Sequence, residues 1–158
     1  MTIEKNLIGA AGEHLVLSRL LARGILASLS PFNAYKADIL VNPTDGRSAC
    51  YIQVKTTTKV NKSEWQVSEK DLDNDDSNMF YCFVELNSVP QKVFVIPARK
   101  VSQVLRESDR AYMATPMRDG SKRKKHVYRM LKNNFIVKVK SAPPGWMDEY
   151  LEYWEVLS

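Results

Sequence analysis

The sequence has few of the side chains that hold structural zinc or build a disulfide framework. It contains two cysteines, Cys50 and Cys82, and two histidines, and the spacing Cys-x-x-Cys does not occur. Without that spacing, and with only two histidines, a structural zinc site is not expected. Both cysteines lie in strand-like runs, which indicates buried free thiols of an intracellular protein.

Long apolar runs and leader patterns are also lacking. No apolar stretch approaches the roughly 20 residues of a membrane-spanning helix, and the N-terminus has no signal-peptide pattern. We therefore expect a cytoplasmic protein with no membrane partner. A length of 158 residues, with 44% hydrophobic and 26% charged residues, predicts a single globular domain over residues 1–158.

Basic residues outnumber acidic ones, 23 against 18, which gives a formal net charge of +5. This excess favours a polyanionic partner, although many basic proteins bind nothing acidic. It is densest in residues 118–132, called the basic segment below, where Asp119 is the only acid. The segment is interpreted either as a solvated loop or as an arm that contacts phosphates. Its predicted DNA contacts are Arg118, Lys122, Arg123, Lys124, Lys125 and Arg129.

Residues 38–57 show the clearest local pattern. Apolar and polar side chains alternate in 50–56, which predicts a strand with Gln53 and Lys55 on one face. Asp38 opens a second apolar run, and turn residues separate the two runs. We therefore predict a hairpin that brings Asp38 alongside Gln53 and Lys55. A carboxylate, an amide oxygen and an ammonium group clustered there can hold a hard divalent cation and a water molecule.

The apolar periodicity of residues 3–23 predicts a first helix that ends at Gly24. Because this helix is apolar almost all round, we expect it to be buried on more than one side. Gly9 and Gly12 should each cost about 1 kcal/mol relative to alanine in a helix interior. Close approach of another backbone would account for them, and so would fraying at the start of the helix.

Glu13 shares the face of this helix that carries the apolar residues at i+3, i+4 and i+7. A carboxylate that faces the core needs a partner, since an unpaired buried charge is very costly. Candidate partners are an arginine of the same helix, Lys55 or a metal ion. The alternative is a glutamate at the rim that reaches solvent.

The remaining patterns predict an α/β or α+β fold with a mixed sheet. The basic segment lies between two predicted helices, 98–106 and 146–157. Further strands are predicted at 25–30, around Trp65 and Val67, and at 79–86 and 93–96. Residues 135–139 are interpreted either as a strand or as a segment that packs against the sheet.

Three motifs together resemble the PD-(D/E)XK nuclease superfamily, in particular its Holliday-junction-resolvase-like and restriction-endonuclease-like members. The resemblance implies a restriction-endonuclease-like mixed central sheet flanked by helices. It also implies Mg²⁺-dependent hydrolysis of a DNA phosphodiester, with Mn²⁺ as an alternative ion. The motifs are Gly9-x-x-Gly12-Glu13, Asp38-Ile39-Leu40-Val41 and Ile52-Gln53-Val54-Lys55-Thr56.

Carried over by position, the resemblance gives four residues catalytic roles. Asp38 would be the metal-binding aspartate, Gln53 would stand in place of the second acid, and Lys55 would be the motif lysine. Glu13 would be the helix glutamate that some members add, so Asp38, Gln53 and Glu13 form the implied metal-binding set. Gln53 departs from the pattern because it brings an oxygen without a negative charge, although glutamine looks like a tolerated variant in some active members.

Three functions follow from these observations. The first is a metal-dependent deoxyribonuclease, and the second is a nucleic-acid-binding domain on a nuclease-like fold that has lost hydrolysis, which Gln53 favours. The third is a protein-interaction domain whose basic segment is only solvated. The resemblance also implies a homodimer, because many relatives use two copies to cut two strands. Outside the basic segment, predicted DNA contacts are Lys36, Lys59 and Lys62.

Overall fold

The computed structural model of the protein describes residues 4–31, 37–125 and 128–157. Within these ranges the chain forms helices α1 (Lys5–Ala22) and α2 (Ala98–Ala114), with strands β1 (Ala27–Leu29), β2 (Ile39–Val41), β3 (Cys50–Thr57), β4 (Glu64–Ser68), β5 (Met79–Glu85), β6 (Lys92–Pro97) and β7 (Tyr128–Lys132). None of the helices in the described ranges has the length and apolar character needed to cross a membrane.

A mixed five-stranded sheet, in the order β1-β2-β3-β5-β6, forms the centre of the molecule. β1, β2 and β3 are antiparallel neighbours, β3 and β5 are parallel, and β5 and β6 are antiparallel. A parallel pair needs a crossover connection, which β4 and a short 3₁₀ helix (Glu69–Asp73) supply between β3 and β5. This sheet confirms the predicted α/β (α+β) fold class. The predicted hairpin is present as β2 and β3, with Leu40 opposite Tyr51.

The two helices cover opposite faces of the sheet. Successive side chains of a strand point to opposite faces, so the fully buried β5 contributes Cys82 to the α1 side and Phe83 to the α2 side. Leu20 of α1 belongs to the first of these two cores, and Leu105 of α2 belongs to the second. The continuous apolar run of β5 is thereby explained by burial on both faces.

A second, two-stranded sheet lies on the α2 side of the molecule. It is formed by antiparallel pairing of β4 and β7 and is called the β4–β7 ribbon below. Trp65 and Leu131 point into the core from this ribbon, whereas Tyr128 and Met130 are exposed. The basic segment therefore ends in a strand, which its charge pattern did not predict.

Residues 135–139 do not form a strand, so the first of the two expectations for this segment is wrong. They include bends, and Phe135 and Val137 pack against the α2-side core while Ile136 is exposed. The alternating apolar residues here produce alternating burial without strand pairing, as in a packed segment.

The prediction of a helix over 146–157 is also wrong. The segment contains turns and two short 3₁₀ helices, Asp148–Tyr150 and Trp154–Leu157. Glu152 has φ of +54°, a left-handed conformation that no α-helix accommodates. Its carboxylate pairs with Arg19 of α1 and accepts from the backbone N–H of β6 at 3.2 Å, so the segment is tied down by specific contacts.

Candidate active site

Asp38 lies directly before β2, at the open end of the hairpin, beside the middle of β3. Its backbone N–H donates to the carbonyl of Ile52 at 2.8 Å, and its Oδ2 accepts the backbone N–H of Val54 at 2.7 Å. The carboxylate thus replaces the backbone acceptor that a longer β2 would provide. Burial raises the pKa of Asp38, while the Val54 N–H and the charge of Lys55 lower it. Burial outweighs these two effects, so the net shift of the Asp38 pKa is upward.

Glu13 comes to Asp38 from α1, on the other side of the sheet. Burial raises the pKa of Glu13, and the negative charge of Asp38 raises it further. The two carboxylates are therefore close enough to repel each other. Of the partners considered from the sequence, the arginine Arg19 pairs elsewhere, with Glu152.

Gly12 accounts for the position of Glu13. A Cβ built on Gly12 would lie 1.9 Å from Oγ1 of Thr56 on β3, so only glycine allows α1 to pack at this distance. Close approach therefore explains Gly12, although the contact is a side chain and not a backbone. Gly9 has no neighbouring atom within 4 Å of such a Cβ, so close approach does not explain it.

Gln53 and Lys55 occupy one face of β3, as the alternation predicted. In the parallel register they lie opposite Tyr81 and Phe83 of β5, both of which belong to the α2-side core. Both are half-buried. Among the residues that the structure describes, none forms a hydrogen bond with the Gln53 side chain. Its amide oxygen can therefore serve as a ligand without breaking a described contact.

Asp71 is a site neighbour that the sequence analysis did not identify. Its Oδ2 lies 3.7 Å from Nζ of Lys55, and its carboxylate is 5% exposed. The hydroxyl of Tyr81 donates to Oδ1 at 2.7 Å, and the backbone N–H of Ser68 donates to Oδ2 at 2.8 Å. The spacing Ser68-x-x-Asp71 is a capping-box signature and was readable locally, but the contact with Lys55 depends on the crossover of the chain.

The donor set fits a hard divalent cation. Glu13 and Asp38 provide two mutually repelling carboxylates, and Gln53 provides a neutral oxygen, which are ligand types that Mg²⁺ accepts. No group of three or more His, Cys, Asp or Glu side chains within the described ranges could hold a metal ion. A cation at this edge would therefore depend on the amide oxygen of Gln53, on water and on substrate oxygens as well as on the two acids.

The predicted DNA contacts fall into two sets, apart from Lys36, which lies outside the described residues. Lys62, Arg118, Lys122 and Lys124 are exposed. The others make contacts within the protein: Lys59 with Glu64 at 2.7 Å, Lys125 with Glu69 at 2.5 Å, Arg129 with Asp109, and Arg123 over the ring of Tyr112. The basic segment is therefore anchored at several points, which a purely solvated loop would not require.

Comparison with known proteins gives a likeness in structure only. No family model matches the sequence, and no curated protein matches it. A solved structure of a bacterial homing endonuclease, I-Ssp6803I, superimposes with a TM-score of 0.53 over 99% of this chain and 92% of that chain, at 15% sequence identity. At this identity the likeness shows the fold and leaves the activity open. The chain therefore has a nuclease-like fold, built on a mixed sheet between two helices.

Proposed function

We propose that this protein is a divalent-metal-dependent DNA endonuclease of the PD-(D/E)XK type. The observation that carries the proposal is the clustering of Glu13 and Lys55 around Asp38. The charge of Asp38 raises the pKa of Glu13, and the charge of Lys55 lowers the pKa of Asp38. Three separate elements, α1, the start of β2 and β3, contribute these side chains. Two half-buried acids, of which Asp38 raises the pKa of Glu13, are costly to a fold, so their clustering favours a function that uses the charge.

In this proposal Asp38, Glu13 and the Gln53 amide oxygen hold Mg²⁺, with Mn²⁺ as an alternative. The bound ion lowers the pKa of a water ligand and stabilises charge on the phosphate. The Val54 N–H fixes the carboxylate of Asp38, so its orientation does not depend on the ion. Lys55 orients the attacking water or donates to a phosphate oxygen, where an ammonium group stabilises developing negative charge.

The test is cleavage of a mixed panel of labelled DNA substrates with Mg²⁺ or Mn²⁺. The panel contains duplex, single strand, flap and junction. Wild type is compared with Asp38→Ala and with Asp45→Ala, which removes an exposed carboxylate from the turn of the same hairpin. We expect wild type and Asp45→Ala to cut and Asp38→Ala to be inactive. Equal cutting by all three proteins would show that the activity arises elsewhere.

The second candidate function is DNA binding without hydrolysis. It is favoured by the neutral side chain at Gln53 and by the ion pair of Lys55 with Asp71, which occupies the motif lysine. Salt-dependent DNA binding together with no cleavage by wild type under any condition of the panel would establish it. Absence of DNA binding even at low salt would exclude both functions and leave the protein-interaction domain.

A further inference from the structure

An open cavity of about 430 Å³ lies between the second half of α2, the strand β7 and residues 135–137; we call it the groove. Its volume is in the range of sites that hold small ligands or single groups of larger ones. Of its lining residues, Tyr128 is 60% exposed, Ile136 is 99% exposed and Met130 is 36% exposed. Several large apolar side chains exposed around one depression mark a binding surface.

The charge around the groove is positive. Arg123, Lys124 and Lys132 line it, and Asp109 is the only acid among its described lining residues. The carboxylate of Asp109 is already paired with Arg129. The guanidinium carbon of Arg123 lies 4.2 Å from the ring centroid of Tyr112, which holds this cation at the wall. The groove therefore combines the exposed aromatic ring of Tyr128 with Arg123, held against Tyr112, and the exposed Lys124.

An exposed aromatic ring beside cations favours binding of a nucleic acid whose bases are unstacked. Aromatic rings provide platforms for exposed bases, and neighbouring cations follow the backbone phosphates. A paired duplex hides the faces of its bases and cannot use such a platform. An apolar peptide would use Ile136 and Met130 but would leave the surrounding cations without partners.

The groove is connected to the candidate active site through the β4–β7 ribbon. Tyr128 pairs with Ser68 in the ribbon, Ser68 donates to Asp71, and Asp71 pairs with Lys55. Lys55 and α2 also lie on the same side of the central sheet. A DNA strand bound in the groove can therefore continue toward the candidate active site without crossing the central sheet.

We infer that the groove receives an unstacked single-stranded segment of the DNA substrate, with a base against Tyr128 and phosphates beside Arg123 and Lys124. The inference rests on the proposed function in taking DNA as the ligand, and it narrows the substrate class to DNA that carries a single-stranded segment, such as a flap, gap or junction.

The test measures binding by fluorescence anisotropy in EDTA, so that cleavage does not enter. Labelled duplex, single strand and flapped duplex of equal length are titrated with wild type, Tyr128→Ala, Tyr128→Trp and Tyr153→Ala. Tyr153 is an exposed tyrosine of the C-terminal segment and serves as the matched control. Loss of one base–aromatic stack should weaken binding of single-stranded and flapped DNA by about tenfold.

We expect only Tyr128→Ala to bind single-stranded and flapped DNA more weakly, and we expect its affinity for duplex DNA to equal that of wild type. Tyr128→Trp should bind all three DNAs with wild-type affinity. The tryptophan variant separates loss of stacking from loss of fold. Equal affinities of wild type and Tyr128→Ala for single-stranded and flapped DNA would overturn the inference, while duplex binding would leave the proposed function standing. No binding of any DNA would overturn both.

Discussion

At the scale of single residues, Gln53 determines how much charge the candidate active site offers to a cation. Two carboxylates and one amide give the site one negative charge fewer than three acids would. We predict that Gln53→Glu keeps or raises the affinity for Mn²⁺, because the added carboxylate is a stronger ligand for a hard cation. Titration calorimetry with Mn²⁺ measures this, and Gln66→Glu, on the exposed face of β4, is the matched control. A sharp drop in Mn²⁺ affinity for Gln53→Glu would mean that Gln53 is not a ligand.

Asp71 acts on the same site through Lys55. Burial, and then the hydrogen bond and charge of Asp71, raise the pKa of Tyr81, so its hydroxyl stays protonated and donates to the carboxylate. We predict that Asp71→Asn slows single-turnover cleavage at saturating DNA about tenfold and leaves DNA affinity unchanged, because the Lys55 ammonium loses its anchor.

The control for this prediction is Tyr81→Phe. It removes one of the hydrogen bonds to Asp71 and should lower the free energy of unfolding by about 1–2 kcal/mol, with little effect on the cleavage rate. Equal rate losses in Asp71→Asn and Tyr81→Phe would assign Asp71 a purely structural role.

At the scale of elements, the packing of α1 on β3 sets the position of Glu13. Gly12→Ala forces a Cβ into the side chain of Thr56, and we expect it to lower the free energy of unfolding by about 1–3 kcal/mol. Gly9→Ala meets no atom and should raise it by up to about 1 kcal/mol through helix propensity. Denaturant titration of both variants checks the contrast. Equal effects of the two substitutions would mean that α1 does not pack closely at Gly12.

The elements also show what the sequence could and could not predict. Period-two alternation in β3 and the apolar run of β5 are local signals, and both strands form where these signals lie. The segment 146–157 has helical spacing of apolar residues. It nevertheless forms turns and 3₁₀ helices, because Pro143-Pro144-Gly145 precedes it and Glu152 adopts a left-handed conformation. Its shape is fixed by contacts with α1 and β6 that are distant in sequence.

In the candidate site, too, the residues related by local sequence were predictable and those brought together by distant contacts were not. Asp38, Gln53 and Lys55 were identifiable because a hairpin relates them locally. Asp71 was not, because its contact with Lys55 arises only when the chain crosses from β3 to β5.

At the scale of the whole molecule, the exposed cations of the basic segment should govern the salt dependence of DNA binding. Each phosphate contact contributes about 0.7 to the slope of log affinity against log salt concentration for single-stranded DNA. We predict that Lys124→Ala reduces the slope by about that amount. Lys5→Ala, on the α1 side of the sheet, should leave it unchanged. Anisotropy titrations over a series of salt concentrations measure both slopes. An unchanged slope in Lys124→Ala would place DNA on another surface.

The central claim is that Lys55 belongs to the chemistry of phosphodiester cleavage and is not merely one of many basic residues. The most direct measurement compares Lys55→Ala with Lys62→Ala, an exposed lysine in the connection between β3 and β4, for DNA affinity in EDTA and for single-turnover cleavage at saturating DNA. We predict that Lys55→Ala retains binding and loses cleavage by about 100-fold or more, as expected for removal of a group that stabilises the transition state. Lys62→Ala should weaken binding and retain the cleavage rate. Equal cleavage rates for the two variants would contradict the assignment of the active centre to the β2–β3 hairpin.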